Sequence, residues 1–461
     1  LKDIRPIKWL IVGAGPAGLS AAASLEARGE RDLLILEASD RPGGLSASFV
    51  DDRGFTWDVG GHVMFSHYRE YDRLLDSLLS PEEWVPHRQE AWIRFSDALV
   101  PYPFQLHLNW LPPGPREECL RGLAAAREVS PPTASDFREW IRSRFGTGIA
   151  RLFMEPYNRN LWSCPLEEMG IYWLGDRVAL PSAEMLQAGT RRQWGPNAAF
   201  RFPVRGGTGA VWKALADRIG PERIAYGAEA ERIDLSNRCL TLADGRRFRW
   251  EKLFSSMPLD EFILRAAPGV RAPDSWSADL RSAPIAVVGL GFEGPRQDLL
   301  GDFTWMYFPE AKTRIYRVTN FSRYSPANVP DPDRNWSLMA EVASIGAAPD
   351  PAGIVKEVET DLAGYGLIPG KARVVSRWSR IVTRGYPVPT VTRERTRLRL
   401  LEQLESRGVY SRGRFGAWRY EVGNMDHCAM QGVEWAERMI SGFPEVTAVD
   451  PDSVNSGKFK Q

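Results

Sequence analysis

Residues 8–27, KWLIVGAGPAGLSAAASLEA, and residues 33–37, LLILE, decide the fold. Lys8 to Val12 is an apolar run of strand type, and Gly13-Ala14-Gly15-Pro16-Ala17-Gly18 opens a helix of small residues from Leu19 to Ala27. A second apolar run, Leu33 to Leu36, ends at Glu37. The three glycines suit a tight strand-to-helix turn, a close approach of backbone to a pyrophosphate, and close packing of helix on strand. The helix start adds free N–H groups and the positive end of its dipole, both favourable to phosphate. An acid about 20 residues beyond the last glycine is placed to accept hydrogen bonds from an adenosine ribose. Strand, glycine turn, helix, second strand and acid together predict a bound dinucleotide.

Pro16 and the glycines break up the apolar stretch Trp9–Leu25, and no small-residue cleavage site precedes Glu26 and Arg28, so it does not read as a signal peptide. No other stretch approaches the roughly 18 apolar residues of a membrane span, and the chain is read as soluble. At 461 residues, 43% of them hydrophobic, two or three domains with a sizeable core are expected. Net charge is +1 from 59 basic and 58 acidic residues, so no global field calls for nucleic acid or a membrane, and anion specificity must come from local arginines. Cys119, Cys164, Cys239 and Cys428 have no metal-ligand spacing and read as reduced thiols in a cytoplasm, with no metal site expected.

The rest of the chain divides by pattern. A helix is predicted around Glu70–Leu79, and a strand at Ala91–Phe95 leads into Val100-Pro101-Tyr102-Pro103-Phe104-Gln105, which the prolines hold extended. Residues 117 to about 186 are mostly helical in pattern, with loops at Pro131-Pro132 and Gly146-Thr147-Gly148. Strands are predicted at Arg223–Asp234, Cys239–Leu242, Lys252–Ser255, Ile285–Phe292, Trp305–Phe308, Thr313–Thr319 and Ser337–Val342, and a last helix at Met430–Ile440. The expected fold is α/β: a dinucleotide-binding Rossmann-like domain with an inserted helical domain and an antiparallel-sheet domain. The expected boundaries are 1–85 with 195–265 and 405–461 for the first, 105–190 for the second, and 86–104 with 266–404 for the third.

Arg41-Pro42-Gly43-Gly44 follows the acid at the place where FAD enzymes carry a second glycine pair, which favours FAD over NAD. Asp58-Val59-Gly60-Gly61-His62 permits a tight loop that could set an imidazole and backbone against a ring system; the plainer reading is a surface turn. Here the chain resembles the UDP-galactopyranose mutases of the eukaryotic-type branch. The resemblance rests on Gly60-Gly61-His62-Val63-Met64-Phe65-Ser66-His67-Tyr68, on residues 100–105, and on Pro156-Tyr157-Asn158 with Trp162. It continues through Trp173 to Val178, Trp194-Gly195-Pro196-Asn197, Arg201-Phe202-Pro203, Gly206-Gly207-Thr208-Gly209, Gly385-Tyr386-Pro387 and Ser411 to Asn424. The matched blocks are in order and span residues 8 to 440.

The resemblance implies interconversion of UDP-galactopyranose and UDP-galactofuranose by attack of reduced flavin N5 on the anomeric carbon, with no net redox change. That chemistry needs a clamp on the departed diphosphate, and arginine suits it because its planar fork meets phosphate oxygens bidentately. By motif match, Arg177 and Arg317 form the clamp with Tyr307, Tyr386 and Tyr420; taken alone, each arginine reads as an ion-pair partner. Tyr102 and Gln105 match the family's uridine-binding residues, with Phe104 and Asn158 nearby in the substrate site and Trp162 lining the same region; Asn197 matches a nucleotide-sugar contact, and Phe65 and Trp305 wall the sugar. For FAD the implied residues are Gly13, Gly15, Gly18, Glu37, Arg41, Gly43, Gly44, Gly61, His62, Arg414, Gly423, Asn424 and Met425, with His62 as a redox-sensing loop residue grouped with the two arginines as catalytic. Met425 stands where members of the family carry Gln, and Arg88-Gln89-Glu90-Ala91 departs from the family segment that assists the nicotinamide reductant. Substrate and partners are therefore a UDP-sugar and NAD(P)H or another reductant, with homo-oligomerisation left open. The alternatives are a mutase for another NDP-hexose, such as a 6-deoxy sugar, a flavin amine oxidase or desaturase, and a nucleotide-binding protein without activity.

Overall fold

Ile7–Val12 lies in the middle of a parallel layer, where Leu10 and Ile11 are fully enclosed. It pairs on one side with Leu33–Leu36, which pairs with Ile224–Ala225; on the other it pairs with Arg247–Ser255, whose far edge takes Val409–Ser411. Runs apolar on both faces suit such a layer because helices cover each side. Helices Pro16–Ala27, Gly209–Ile219 and Met425–Ser441 pack on one face. At Gly432 the last of these touches the first, since a Cβ there would stand 2.2 Å from the Ala17 carbonyl oxygen. Helices Leu259–Ala266 and Arg393–Glu405 cover the other face. The structure is a computed structural model and describes residues 5–128, 134–181, 194–266, 268–296, 301, 303–310, 312–343 and 350–460.

A second sheet has seven strands in the order Arg373–Pro387, Ser282–Glu293, Asn335–Ala343, Ile315–Asn320, Trp305–Tyr307, Ala91–Phe95 and Ala98–Pro101. All neighbours are antiparallel except Trp305–Tyr307 with Ala91–Phe95, so the sheet is mixed where a purely antiparallel one is expected. One face packs on helix Pro351–Gly364. The opposite face carries an aromatic-rich core shared with helices Phe137–Ile149 and Glu155–Trp162. The functional cavities lie between this face and the parallel layer. Among the described residues, no helix is long and apolar enough to cross a membrane.

Several expected elements change. The predicted loop at Gly146-Thr147-Gly148 is a break inside helix Phe137–Ile149, where Gly146 has φ 71°. Helix Pro113–Glu128 runs so close that a Cβ on Gly146 would meet the Gly122 carbonyl oxygen at 2.0 Å. The run Arg223–Asp234 is two strands, Ile224–Ala225 and Ala230–Asp234, parted by Gly227 at φ 63°. The final helix begins at Met425, because buried Asp426, His427 and Gln431 hide its first turns from an apolar count. Strand Arg373–Pro387 goes unpredicted because arginines 373, 377, 380 and 384 interrupt its apolar pattern. Residues 182–186, the end of the expected helical stretch, lie outside the described residues.

Candidate active site

Two cavities meet behind the Gly60-Gly61-His62 loop. The larger, about 570 Å³, is lined by Gly13, Gly15, Glu37, Arg41 and Gly44 at one end and by His62, Arg414, Gly423 and Met425 at the other. The smaller, about 330 Å³, is lined by Phe65, Tyr102, Gln105, Arg177, Arg317 and Tyr386, among others. His62, Arg414 and Met425 line both, so they mark the junction.

The larger cavity fits FAD on its own geometry. Gly13, at φ 102°, passes so close to Ser256 that a Cβ would lie 2.2 Å from its hydroxyl, and a Cβ on Gly18 would lie 1.9 Å from the Gly13 carbonyl oxygen. Gly18 therefore packs helix on strand and lines neither of these two cavities. Gly15 and Gly44 lie side by side in the wall of this cavity: a Cβ on Gly44 would come into contact with the Gly15 Cα, at 3.6 Å. Such a wall of bare backbone at a helix N-terminus is a cradle for a pyrophosphate. Gly43 holds it open by donating its N–H to the Ala14 carbonyl at 2.8 Å. Glu37 is buried and already accepts hydrogen bonds from Ala14 N–H (2.7 Å) and from the N–H and hydroxyl of Ser39. The acid thus orders the loop as well as facing the cavity.

At the junction, Arg414 donates to the Gly423 and Gly385 carbonyls, which ties the last glycine loop to the end of strand Arg373–Pro387. Burial, reinforced by the Arg414 charge, pushes His62 down to about 4, so its imidazole is neutral at pH 7. Its Nδ1 is buried without a partner among the described residues. The unfolded chain protonates this group near 6.5, so between about 4 and 6.5 it binds the proton that the folded chain does not. Stability from this residue is complete above 6.5 and lost as pH falls toward 4. We expect His62→Asn to reduce the loss of thermal stability between pH 6.5 and 4; an equal loss in both proteins would show instead that the imidazole does not carry it.

Arg317 and Glu341 stand directly opposite on paired strands. Glu341 accepts from Arg317 Nε and Nη2, each at 2.8 Å, from the Tyr316 hydroxyl at 2.8 Å and from the Gly61 N–H at 2.9 Å. Burial would raise this carboxyl, but the Arg317 charge and these donors outweigh it and hold it below the ordinary range. The ion-pair reading of Arg317 therefore holds, in buried form, and its partner also anchors the Gly-Gly-His loop. Arg177 differs: its Nη2 donates to the Glu421 carbonyl and, at 3.3 Å, to Asn455 Oδ1; its guanidinium lies 5.2 Å from the Tyr420 ring centre. Among the described residues its Nε is buried without a partner, and its hydrogen bonds go to a carbonyl and an amide oxygen and to no carboxylate.

The other expected residues sort by depth. Tyr102, Trp162, Asn197, Trp305, Tyr386, Tyr420, Gly61 and Asn424 line the smaller cavity. Gln105 also lines it, with Nε2 donating to the Ala179 carbonyl at 3.0 Å and Oε1 buried and unpartnered. An orphaned amide oxygen is an acceptor waiting for a ligand N–H. Two placements are corrections. Phe104 is fully buried and stacks on Phe153 at 4.8 Å, turned away from the cavity by the 3₁₀ turn Phe104–Leu106. Tyr307 sits one layer back, stacked on Tyr102 at 4.9 Å and hydrogen-bonded to Arg317. Asn158 reaches the cavity, but its amide is engaged with the Met154 carbonyl and Trp162 Nε1.

Sequence reasoning missed Glu341, Asn455 and the pair His67–Asp426, in which Asp426 accepts from His67 Nδ1 at 2.7 Å. Glu341 had a signal, as the lone acid in the apolar strand Asn335–Ala343; Asn455 had none.

Comparison with known proteins comes to the same architecture. The model of the flavin containing amine oxidoreductase family matches residues 16–440. The chain is similar to a reduced UDP-galactopyranose mutase of known structure, with 36% identity over 98% of each chain and a TM-score of 0.93. Cyclohexylamine oxidase from Brevibacterium oxydans shares the fold at 19% identity over 94% of this chain and 99% of that one, with a TM-score of 0.68. Among curated proteins, 15-cis-phytoene desaturase of Arabidopsis thaliana is 40% identical over 77 residues, 17% of this chain. The chain spans only 13% of that relative's length.

Proposed function

The chain belongs to the flavin containing amine oxidoreductase family and, within it, to the UDP-galactopyranose mutases, and we propose from this that it interconverts UDP-galactopyranose and UDP-galactofuranose with FAD as its cofactor. The observation that carries the reading is the junction: one cavity shaped for a dinucleotide opens at His62, Arg414 and Met425 onto a second lined by arginine, tyrosine and an unpartnered amide oxygen. When bound in its reduced form, FAD would supply a nucleophilic nitrogen for the anomeric carbon, and Gly13, Gly15, Gly44, His62 and Arg414 would hold it.

The chain's own residues do the rest. Arg177 and Arg317 hold the diphosphate, with Tyr386 and Tyr420 beside them. Holding the leaving group in place keeps the return step intramolecular, which is worth several orders of magnitude in rate. Tyr102 offers a ring face to a pyrimidine, and Gln105 Oε1 accepts from its imide N–H. Asn197, Phe65 and Trp305 bound the sugar. Neutral His62 and the Gly61 N–H set the loop against the ring edge. The four buried free thiols support a reducing, cytoplasmic compartment. NAD(P)H or another reductant primes the cofactor once, since the reaction has no net electron demand.

The test is anaerobic turnover. Protein reduced with dithionite should convert UDP-galactofuranose to the pyranose, and oxidised protein should not. A panel of NDP-hexoses, read by chromatography, identifies the preferred sugar. Failure of the reduced protein on the whole panel, with peroxide produced from amines, would support the oxidase reading instead.

A further inference from the structure

We propose that segment 443–460 is a strap that carries Asn455 into the active site to hold Arg177 in its working orientation. The inference rests on Arg177 being a diphosphate ligand. Helix Pro451–Asn455 lies against the 3₁₀ turn Gly175–Arg177, close enough that a Cβ on Gly175 would come 3.2 Å from Asp452 Oδ1. From there Asn455 reaches the substrate cavity and accepts from Arg177 Nη2 at 3.3 Å. Its own amide nitrogen donates to the Glu421 carbonyl at 3.0 Å and to the Pro451 carbonyl at 2.8 Å. Arg177 donates to the same Glu421 carbonyl, so the arginine and the asparagine share one fixed acceptor.

Glu421 is a firm base for this arrangement. Its carboxylate is buried and accepts from Arg393 Nη2 at 2.7 Å, which ties it to helix Arg393–Glu405. The strap is anchored as well. Glu434 accepts the Val446 and Thr447 N–H groups and the Thr447 hydroxyl, Val454 is fully buried, and Lys460 pairs with Asp72 at 2.9 Å. An arginine with no carboxylate partner among the described residues keeps its full charge for an anion, but needs something neutral to orient it. Asn455 does this without competing for charge, whereas Glu341 both orients Arg317 and offsets it. Asn455 is thus a positioning residue: it acts through Arg177.

Three variants and one pair test it, using flavin-loaded protein, UDP binding by calorimetry and steady-state turnover. Arg177→Ala should weaken UDP about tenfold or more, in the range for losing a hydrogen bond to a charged group. Asn455→Ala should raise the UDP Kd and the KM about five- to tenfold with kcat nearly kept, because orientation of the clamp serves ground and transition states alike. Asn455→Asp, which pairs a new carboxylate with Arg177, should weaken UDP at least as much, and it keeps the side chain's size should the alanine variant lose its fold. The double variant Arg177→Ala/Asn455→Ala should bind UDP no worse than Arg177→Ala alone, since the asparagine has nothing left to position. If Arg177→Ala leaves UDP affinity unchanged, the clamp reading fails. If it weakens UDP while both Asn455 variants bind normally, or if the two losses add in the double variant, the strap proposal fails and the clamp stands.

Discussion

Replacing Arg317 with alanine is expected to lower kcat/KM for the UDP-sugar by at least about a hundredfold, the upper part of the range for a hydrogen bond to a charged group. It should also lower the melting temperature clearly, and the two losses have separate causes. Glu341 is 1% exposed, and Arg317 supplies its only positive partner among the described residues. Removing one member of a buried pair leaves an uncompensated charge, at a cost of about 3–5 kcal/mol. With the Arg317 side chain 18% exposed, the lower end of that range is expected. The same unpaired carboxylate would then face an incoming diphosphate and repel it. The double variant Arg317→Ala/Glu341→Gln removes that charge, so it should recover most of the stability but not the UDP affinity. If UDP affinity returns with stability, Arg317 serves the fold and not the phosphate.

This pair shows what a sequence can and cannot reveal. Gly13, Gly15, Gly18 and Glu37 are legible because their work is local: a turn, a cradle and an acid within one strand–helix–strand unit. Arg317 was legible by motif, but the meaning of its charge lay in strand register, which sets Glu341 across from it 24 residues later. Asn455 and Arg177 are 278 positions apart and meet only because the strap crosses the molecule. Phe104 was misjudged for a local reason: in a 3₁₀ turn neighbouring side chains diverge, so Gln105 reaches the cavity while Phe104 packs behind it. The start of helix Met425–Ser441 escapes the pattern because Asp426, His427 and Gln431 in its first turns are polar and yet buried, so they do not count toward an apolar face.

Gly15→Val should give a folded protein that cannot keep its cofactor, with FAD content falling below about one tenth of wild type and turnover lost accordingly. Gly15 has φ −82° and ψ −176°, an extended conformation that valine adopts readily, and the nearest atom to an added Cβ is the Gly43 carbonyl oxygen at 3.9 Å. The chain itself therefore does not clash with a Cβ at this position. The isopropyl group would stand on the cavity wall that Gly15 and Gly44 form, where the backbone must approach a pyrophosphate closely. Gly18→Ala is the opposite case: its Cβ would strike the Gly13 carbonyl oxygen at 1.9 Å, so the helix must leave the strand and the fold suffers first. The pair is read by flavin absorbance together with circular-dichroism melting, each variant beside wild-type protein stripped of flavin. Gly15→Val should melt with the stripped wild type, and Gly18→Ala below it. A Gly15→Val protein that retains a full complement of FAD would put the pyrophosphate elsewhere in the cavity, because no backbone approach at Gly15 would then be needed.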